Sequence, residues 1–152
     1  VLILLVSLAG WGRAQQETMP SNPPAAGVTA PAGIVPTNWV LRVIRAERLR
    51  TMLQRTNDFV LVDVSPRVYF RDYHIRGSLS VPEEELAQTV RDWPRARRMV
   101  IYCLDRACGS GREVVRQLQL MGFADVLLYE GGKREWRSRQ YESVGPGKLI
   151  EP

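Results

Sequence analysis

Residues 99–102 (Met-Val-Ile-Tyr) form an unbroken apolar run with β-branched and aromatic members, the pattern of a strand buried on both faces. Just downstream, apolar residues recur at 114, 115, 118 and 121, the spacing of an amphipathic helix over 113–121. Between them lies a short loop with Cys103 at its entrance, Cys108 further on, and Gly109-Ser110-Gly111 as a turn leading into the helix. A thiol at the end of a buried strand, facing a helix N-terminus, meets unpaired backbone N–H groups and the positive end of the helix dipole. That environment favours the nucleophilic thiolate. The bland alternative is that Cys103 is a small buried hydrophobe that ends a strand.

Other segments repeat the strand-then-helix alternation. Residues 39–44 read as a first strand, and 46–55 place Leu49, Met52 and Leu53 on one helical face. Residues 59–64 (Phe-Val-Leu-Val-Asp-Val) read as a second buried strand ending on the carboxylate of Asp63, broken by Ser65-Pro66. A short irregular or helical piece follows over 68–73, then a turn at 74–78 and a short strand at 79–81. Pro82 and Glu83-Glu84-Glu85 start a helix that should run to about Trp93, before Pro94. Gly122-Phe123 caps the helix after the central strand, 125–129 forms a last strand, and Gly131-Gly132 turns into a short helix over 133–139. Such alternation predicts an α/β fold: a mainly parallel five-stranded sheet with helices on both faces. Its ligand crevice should lie beyond the carboxyl ends of the strands, where Asp63 and Cys103 both fall.

The chain has 152 residues, 45% of them hydrophobic, enough for one domain with a core but not two. The net charge of +5 comes from arginines scattered among acids, which argues for a solvated surface and against nucleic acid as a partner. Residues 1–14 combine an apolar run with small residues near Ala14, the back half of a secretory signal whose basic portion would precede Val1. The run is shorter than the ~20 residues a membrane span needs, so export to the periplasm is expected, with an uncleaved anchor as the rival. Residues 15–38, with five prolines, read as a disordered linker, 39–141 as the folded domain, and 142–152 as a loose tail.

Five motifs in order carry a family likeness: Val-Leu-Val-Asp63-Val, Tyr73-His74-Ile-Arg-Gly77-Ser78, Val-Ile-Tyr-Cys103, Leu-Met-Gly122-Phe, and Tyr-Glu-Gly131-Gly132-Lys-Arg-Glu-Trp136. Together they resemble a rhodanese-like domain, of the single-domain variety with a Cys-x4-Cys loop. The resemblance implies that Cys103 takes a sulfane sulfur from a donor such as thiosulfate, holds it as a persulfide, and passes it to a thiol or cyanide. It implies that the loop, Leu104, Asp105, Arg106, Ala107, Cys108, Gly109, Ser110 and Arg112, surrounds the reacting sulfur with backbone N–H groups. Arg106 and Arg112 are candidates for gripping an anionic donor. The chain departs from the family in having Ser65 where an arginine is common, a place Arg67 could fill, and Arg76 where a proline is usual. His74 is expected to hold a turn, Asp63 to anchor the loop, and Trp93 and Trp136 to pack. The partners implied are a small anionic sulfur donor, a thiol acceptor and a redox partner of the cell envelope; no cofactor is expected. No metal is expected either, since two cysteines and one histidine do not close a zinc site.

Two other functions stay open. A cysteine phosphatase or arsenate reductase needs Cys-x5-Arg, and Gly109 stands at the arginine's place. The alternative is a non-catalytic interaction module. Cys103 and Cys108 enclose only four residues. In an oxidising compartment they could pair, making Cys108 a resolving thiol, provided their Cα atoms lie within ~4.4–6.8 Å; otherwise Cys108 merely packs.

Overall fold

A computed structural model describes residues 39–55, 58–145 and 148–150. The signal-like run 1–14 and the linker 15–38 lie outside the described residues. In chain order the elements are β1 (Arg42–Ile44), α1 (Ala46–Arg55), β2 (Phe59–Asp63), α2 (Arg67–Asp72), β3 (His74–Ile75) and β4 (Ser78–Ser80). A 3-10 turn (Glu83–Glu85) leads into α3 (Leu86–Thr89), followed by β5 (Arg98–Tyr102), α4 (Ser110–Leu120), β6 (Val126–Tyr129), α5 (Gly132–Ser138), β7 (Ser143–Gly145) and β8 (Lys148–Ile150).

The main sheet has five strands in the order β1-β6-β5-β2-β4, and every pairing within it is parallel. Along β5 the side chains alternate: Met99, Ile101 and Cys103 enter one apolar layer, whereas Val100 and Tyr102 enter the other. The first layer packs under α3 and α4 through Leu86, Val114, Val115 and Leu118. The second lies under α1 and α5 through Ala46, Leu49, Met52 and Trp136. Each such aliphatic side chain contributes about 1.5–3 kcal/mol when fully buried, so the two layers hold the sheet from both faces as the apolar runs required. The register aligns Ser80, Asp63, Tyr102, Tyr129 and Ile44 in one row at the carboxyl ends of the strands. The residues that follow this row carry the site.

Three expectations change. The first strand is shorter than 39–44, beginning at Arg42. The helix expected to reach Trp93 ends at Thr89. Pro94 disfavours helical backbone at Trp93, whose N–H instead closes a turn on Val90 O at 3.1 Å, and the Arg95 guanidinium donates to the carbonyls of Val90 and Arg91. The tail is not loose at its start. Ser143–Gly145 pairs antiparallel with His74–Ile75 and then with Lys148–Ile150, and Ser143 is buried. That pairing joins segments far apart in the chain, so no local pattern announces it.

Candidate active site

Cys103 directly follows Tyr102 of the central strand and is 4% exposed. It is bonded to Cys108 in a disulfide with a Cα–Cα separation of 6.2 Å. The bridge left open by the sequence is therefore made, and Cys108, half-buried, is the less buried of its two residues. The loop is held by its own backbone: Cys108 N–H donates to Asp105 O at 3.1 Å, and Asp105 Oδ1 accepts from Ala107 N–H at 3.0 Å. α5 anchors it from below, because Lys133 N–H donates to Cys103 O and Arg134 N–H to Leu104 O. Arg134 also holds Asp105 Oδ2 at 2.6 Å.

Gly109-Ser110-Gly111 is not a separate turn. Gly109 has helical backbone angles and Ser110 opens α4, so the loop runs straight into the helix. A Cβ on Gly111 would stand 3.0 Å from Leu128 Cδ1; the glycine lets α4 lie close on β6.

The cleft over the disulfide is bounded by Cys103, Asp105, Arg106, Cys108, Arg112 and Glu130. It encloses about 10 Å³, scarcely the space of one water, so in this oxidised form a donor anion has no room beside Cys103. The expected anion-binding arginines are engaged. Arg112 pairs with Glu130, and Arg106, the most exposed of them, faces Glu135 at 3.8 Å. Arg67, expected to fill the missing arginine's place, is tied to Glu85 through Nε at 3.0 Å and through its terminal nitrogen.

Asp63 is fully buried. Its Oδ1 accepts from Ser65 N–H at 2.9 Å and Ser65 Oγ at 2.6 Å, whereas Oδ2 has no hydrogen-bond partner. Burial raises its pKa above the usual carboxylate value, opposed by the Ser65 bonds, then by the nearby Tyr102 hydroxyl and the Lys133 charge. His74 Nδ1 lies 3.0 Å from Phe70 O and its ring stacks on Phe70 at 3.8 Å, a structural role that holds the end of α2. Trp136 is core, donating Nε1–H to Glu142 O at 2.9 Å.

Several residues inside the motifs make contacts that the sequence does not announce. Tyr102 Oη accepts from Ile75 N–H at 3.2 Å and pairs with Ser78 Oγ at 2.8 Å. Lys133, 2% exposed, donates its ammonium to Tyr69 O and, at 2.8 Å, to Tyr73 O. Its pKa is lowered by burial. Gly132, at φ +65°, lies where a Cβ would come within 2.6 Å of Cys103 O. For Gly132 and Lys133 the visible signal is the Gly131-Gly132-Lys133 run after a buried strand.

Residues 45–139 match the sequence model of the rhodanese-like domain. The chain belongs to the rhodanese-like family. Among solved structures, BH2092 protein from Bacillus halodurans superposes on this rhodanese-like domain with a TM-score of 0.65 at 20% identity, covering 69% of this chain and 77% of that one. A rhodanese-related protein from Thermoplasma volcanium gives 0.59 at 21% identity, covering 68% and 97%. These likenesses share the five-stranded fold. The domain is also 32% identical over 95 residues to the HTH-type transcriptional regulator Rv0324 of Mycobacterium tuberculosis, covering 62% of this chain and 41% of that protein. The chain thus spans less than half of that curated relative.

Proposed function

We propose that this rhodanese-like protein is a sulfurtransferase of the cell envelope, active when its loop disulfide is reduced. The carrying observation is the placement of Cys103: it follows the central strand at the carboxyl edge of the sheet, in a loop that leads directly into α4. The Cys103 thiolate attacks the sulfane sulfur of thiosulfate; sulfite leaves with the bonding pair, and a persulfide remains. The positive end of the α4 dipole favours both the thiolate and the anionic persulfide. Cyanide or a thiolate then attacks the outer sulfur and regenerates Cys103. In the absence of an acceptor, the Cys108 thiolate attacks the inner sulfur, hydrosulfide leaves, and the disulfide re-forms. Export fits this reading, since disulfides persist in oxidising compartments.

Thiocyanate formation from thiosulfate and cyanide tests the proposal. Activity is expected after dithiol treatment, absent from the oxidised protein and from Cys103→Ala, and retained in Cys108→Ser. A reduced wild-type protein that forms no thiocyanate would instead favour the interaction-module reading, which is supported by the pairing of Arg106 and Arg112 with carboxylates.

A further inference from the structure

The cleft over the disulfide is walled by two carboxylates, Asp105 and Glu130, and two guanidinium groups, Arg106 and Arg112. Both cations are already matched: Arg112 pairs with Glu130, and Arg106 faces Glu135. Arg134, from α5, holds Asp105 at 2.6 Å. In every pair the carboxylate is the deeper partner. The Asp105, Glu130 and Glu135 side chains are 26%, 17% and 26% exposed, against 66%, 57% and 73% for their arginines. Negative charge thus lies nearer the protein interior, and positive charge nearer solvent.

Backbone donors that could cradle an anion are spent as well. Asp105 accepts Ala107 N–H on Oδ1 at 3.0 Å and Cys108 N–H on its carbonyl at 3.1 Å. The N–H groups of Lys133 and Arg134 go to the carbonyls of Cys103 and Leu104. Arg106, at 3.8 Å from its partner, is the loosest cation, but an anion that drew it in would still rest against Asp105 and Glu130. Glu135 also holds Arg139 at 2.8 Å, on the wall of the pocket around Tyr129. None of these pairs includes a cysteine, so opening the bridge removes none of them directly.

We infer that Asp105 is a specificity-determining residue, which turns Cys103 away from oxyanion donors and toward a sulfane sulfur carried on an uncharged group, an alkyl persulfide in its neutral S–H form. An oxyanion beside Asp105 either draws Arg134 off the carboxylate or meets a cation whose charge is already spent, and like charges at that range repel. A neutral donor meets neither cost, and Gly111 and Leu128 give it apolar wall. The Cys103 thiolate attacks the outer sulfur of R–S–S–H and the S–S bond breaks. R–S⁻ leaves with the electron pair and takes up a proton from water, and Cys103–S–S–H remains. Thiosulfate stays a donor, but a slow one. The inference rests on the sulfur-transfer reading and deepens it by naming the substrate class.

The full chain carrying Cys108→Ser is reduced, so that Cys103 is its only thiol. Its alkylation is timed with iodoacetamide and with iodoacetate, which are alike in size and differ by one negative charge. The ratio of the two rates in the urea-unfolded chain is the reference. In the folded chain the iodoacetate-to-iodoacetamide ratio is expected to fall about fivefold below that reference, the scale of one partly exposed charge pair. Asp105→Asn keeps an oxygen for the Ala107 N–H but drops the charge, and should recover most of the ratio. Glu130→Gln, which frees Arg112, should act in the same direction. Glu142→Gln, the same charge change outside the cleft, should leave the ratio alone. Sulfur loading is then read by intact mass: in Asp105→Asn, thiosulfate should gain about fivefold on hydroxyethyl persulfide. A folded ratio at or above the reference, or equal speeding of both donors by Asp105→Asn, would overturn the inference. Charge selectivity without loading by either donor would overturn the sulfur-transfer reading and leave the role of Asp105 standing, because alkylation needs no sulfur transfer.

Discussion

The backbone N–H of Lys133 donates to the carbonyl oxygen of Cys103 at 3.1 Å. Through this bond the start of α5 holds the residue that carries the chemistry. The approach is possible because Gly132 takes φ +65° and has no Cβ to strike Cys103 O at 2.6 Å. Gly132→Ala should therefore cost about 2–4 kcal/mol, the sum of left-handed strain and overpacking, as read by denaturant unfolding. It should also abolish sulfur transfer in the fraction that folds. An unchanged midpoint would mean that the loop does not depend on this contact.

Reduction of Cys103–Cys108 should lower stability only modestly. The bridge closes a loop with a sequence separation of 5, for which chain entropy predicts about 2 kcal/mol. Thermal unfolding with and without dithiol reads this directly, and the reduced protein should still unfold cooperatively because both apolar layers remain. Collapse to an unfolded chain on reduction would make the bridge a structural staple and rule out a switch.

Asp63 should leave a signature in the acid range. Its folded pKa is raised above 3.8 by burial, so its protonated form is favoured by the fold. Its contribution to stability is then fully present below 3.8 and is lost as pH rises through the folded value. The stability of wild type relative to Asp63→Asn is expected to fall with rising pH across that window, read by urea unfolding at successive pH values. A difference that rises with pH would mean that Lys133 and Ser65 outweigh burial.

Lys133→Met should be more damaging than its position in a glycine-lysine turn suggests. It strips the ammonium from the carbonyls of Tyr69 and Tyr73 and removes the cation whose charge partly offsets the burial of Asp63. About 3 kcal/mol of destabilisation is expected from chemical unfolding. Lys133→Arg should recover little, because the buried site fits a compact ammonium. A neutral Lys133→Met would show that the ammonium is not needed there.

Which of these features the sequence announces depends on how local their causes are. The runs at 59–64 and 99–102 are apolar on both faces, so they identify central strands of a covered sheet, and Cys103 inherits its place from the second run. The Gly122 cap is legible for the same reason: its φ of +91° and the Phe123 N–H bond to Leu118 O are properties of one helix end. Gly111 looks like a turn residue until Leu128 is placed beside it. The strand at Ser143–Gly145 exists only because His74–Ile75 lies next to it, and the pocket around Tyr129 joins β1, α1, the cysteine loop and α5. Such features are set by tertiary contacts, which no periodicity encodes. The disulfide stands between the two cases: its spacing is visible, but the 6.2 Å approach had to be seen.

Sulfur loading of Cys103 is most directly tested by intact mass. The full chain is reduced, freed of reductant, exposed to thiosulfate and weighed at once, with Cys103→Ser and Cys108→Ser in parallel. The account predicts that Cys108→Ser gains one sulfur atom and Cys103→Ser gains none. Wild type should gain the atom transiently and then lose it, together with two hydrogens, as the bridge re-forms. A sulfur adduct on Cys103→Ser, or none on reduced Cys108→Ser, would contradict it.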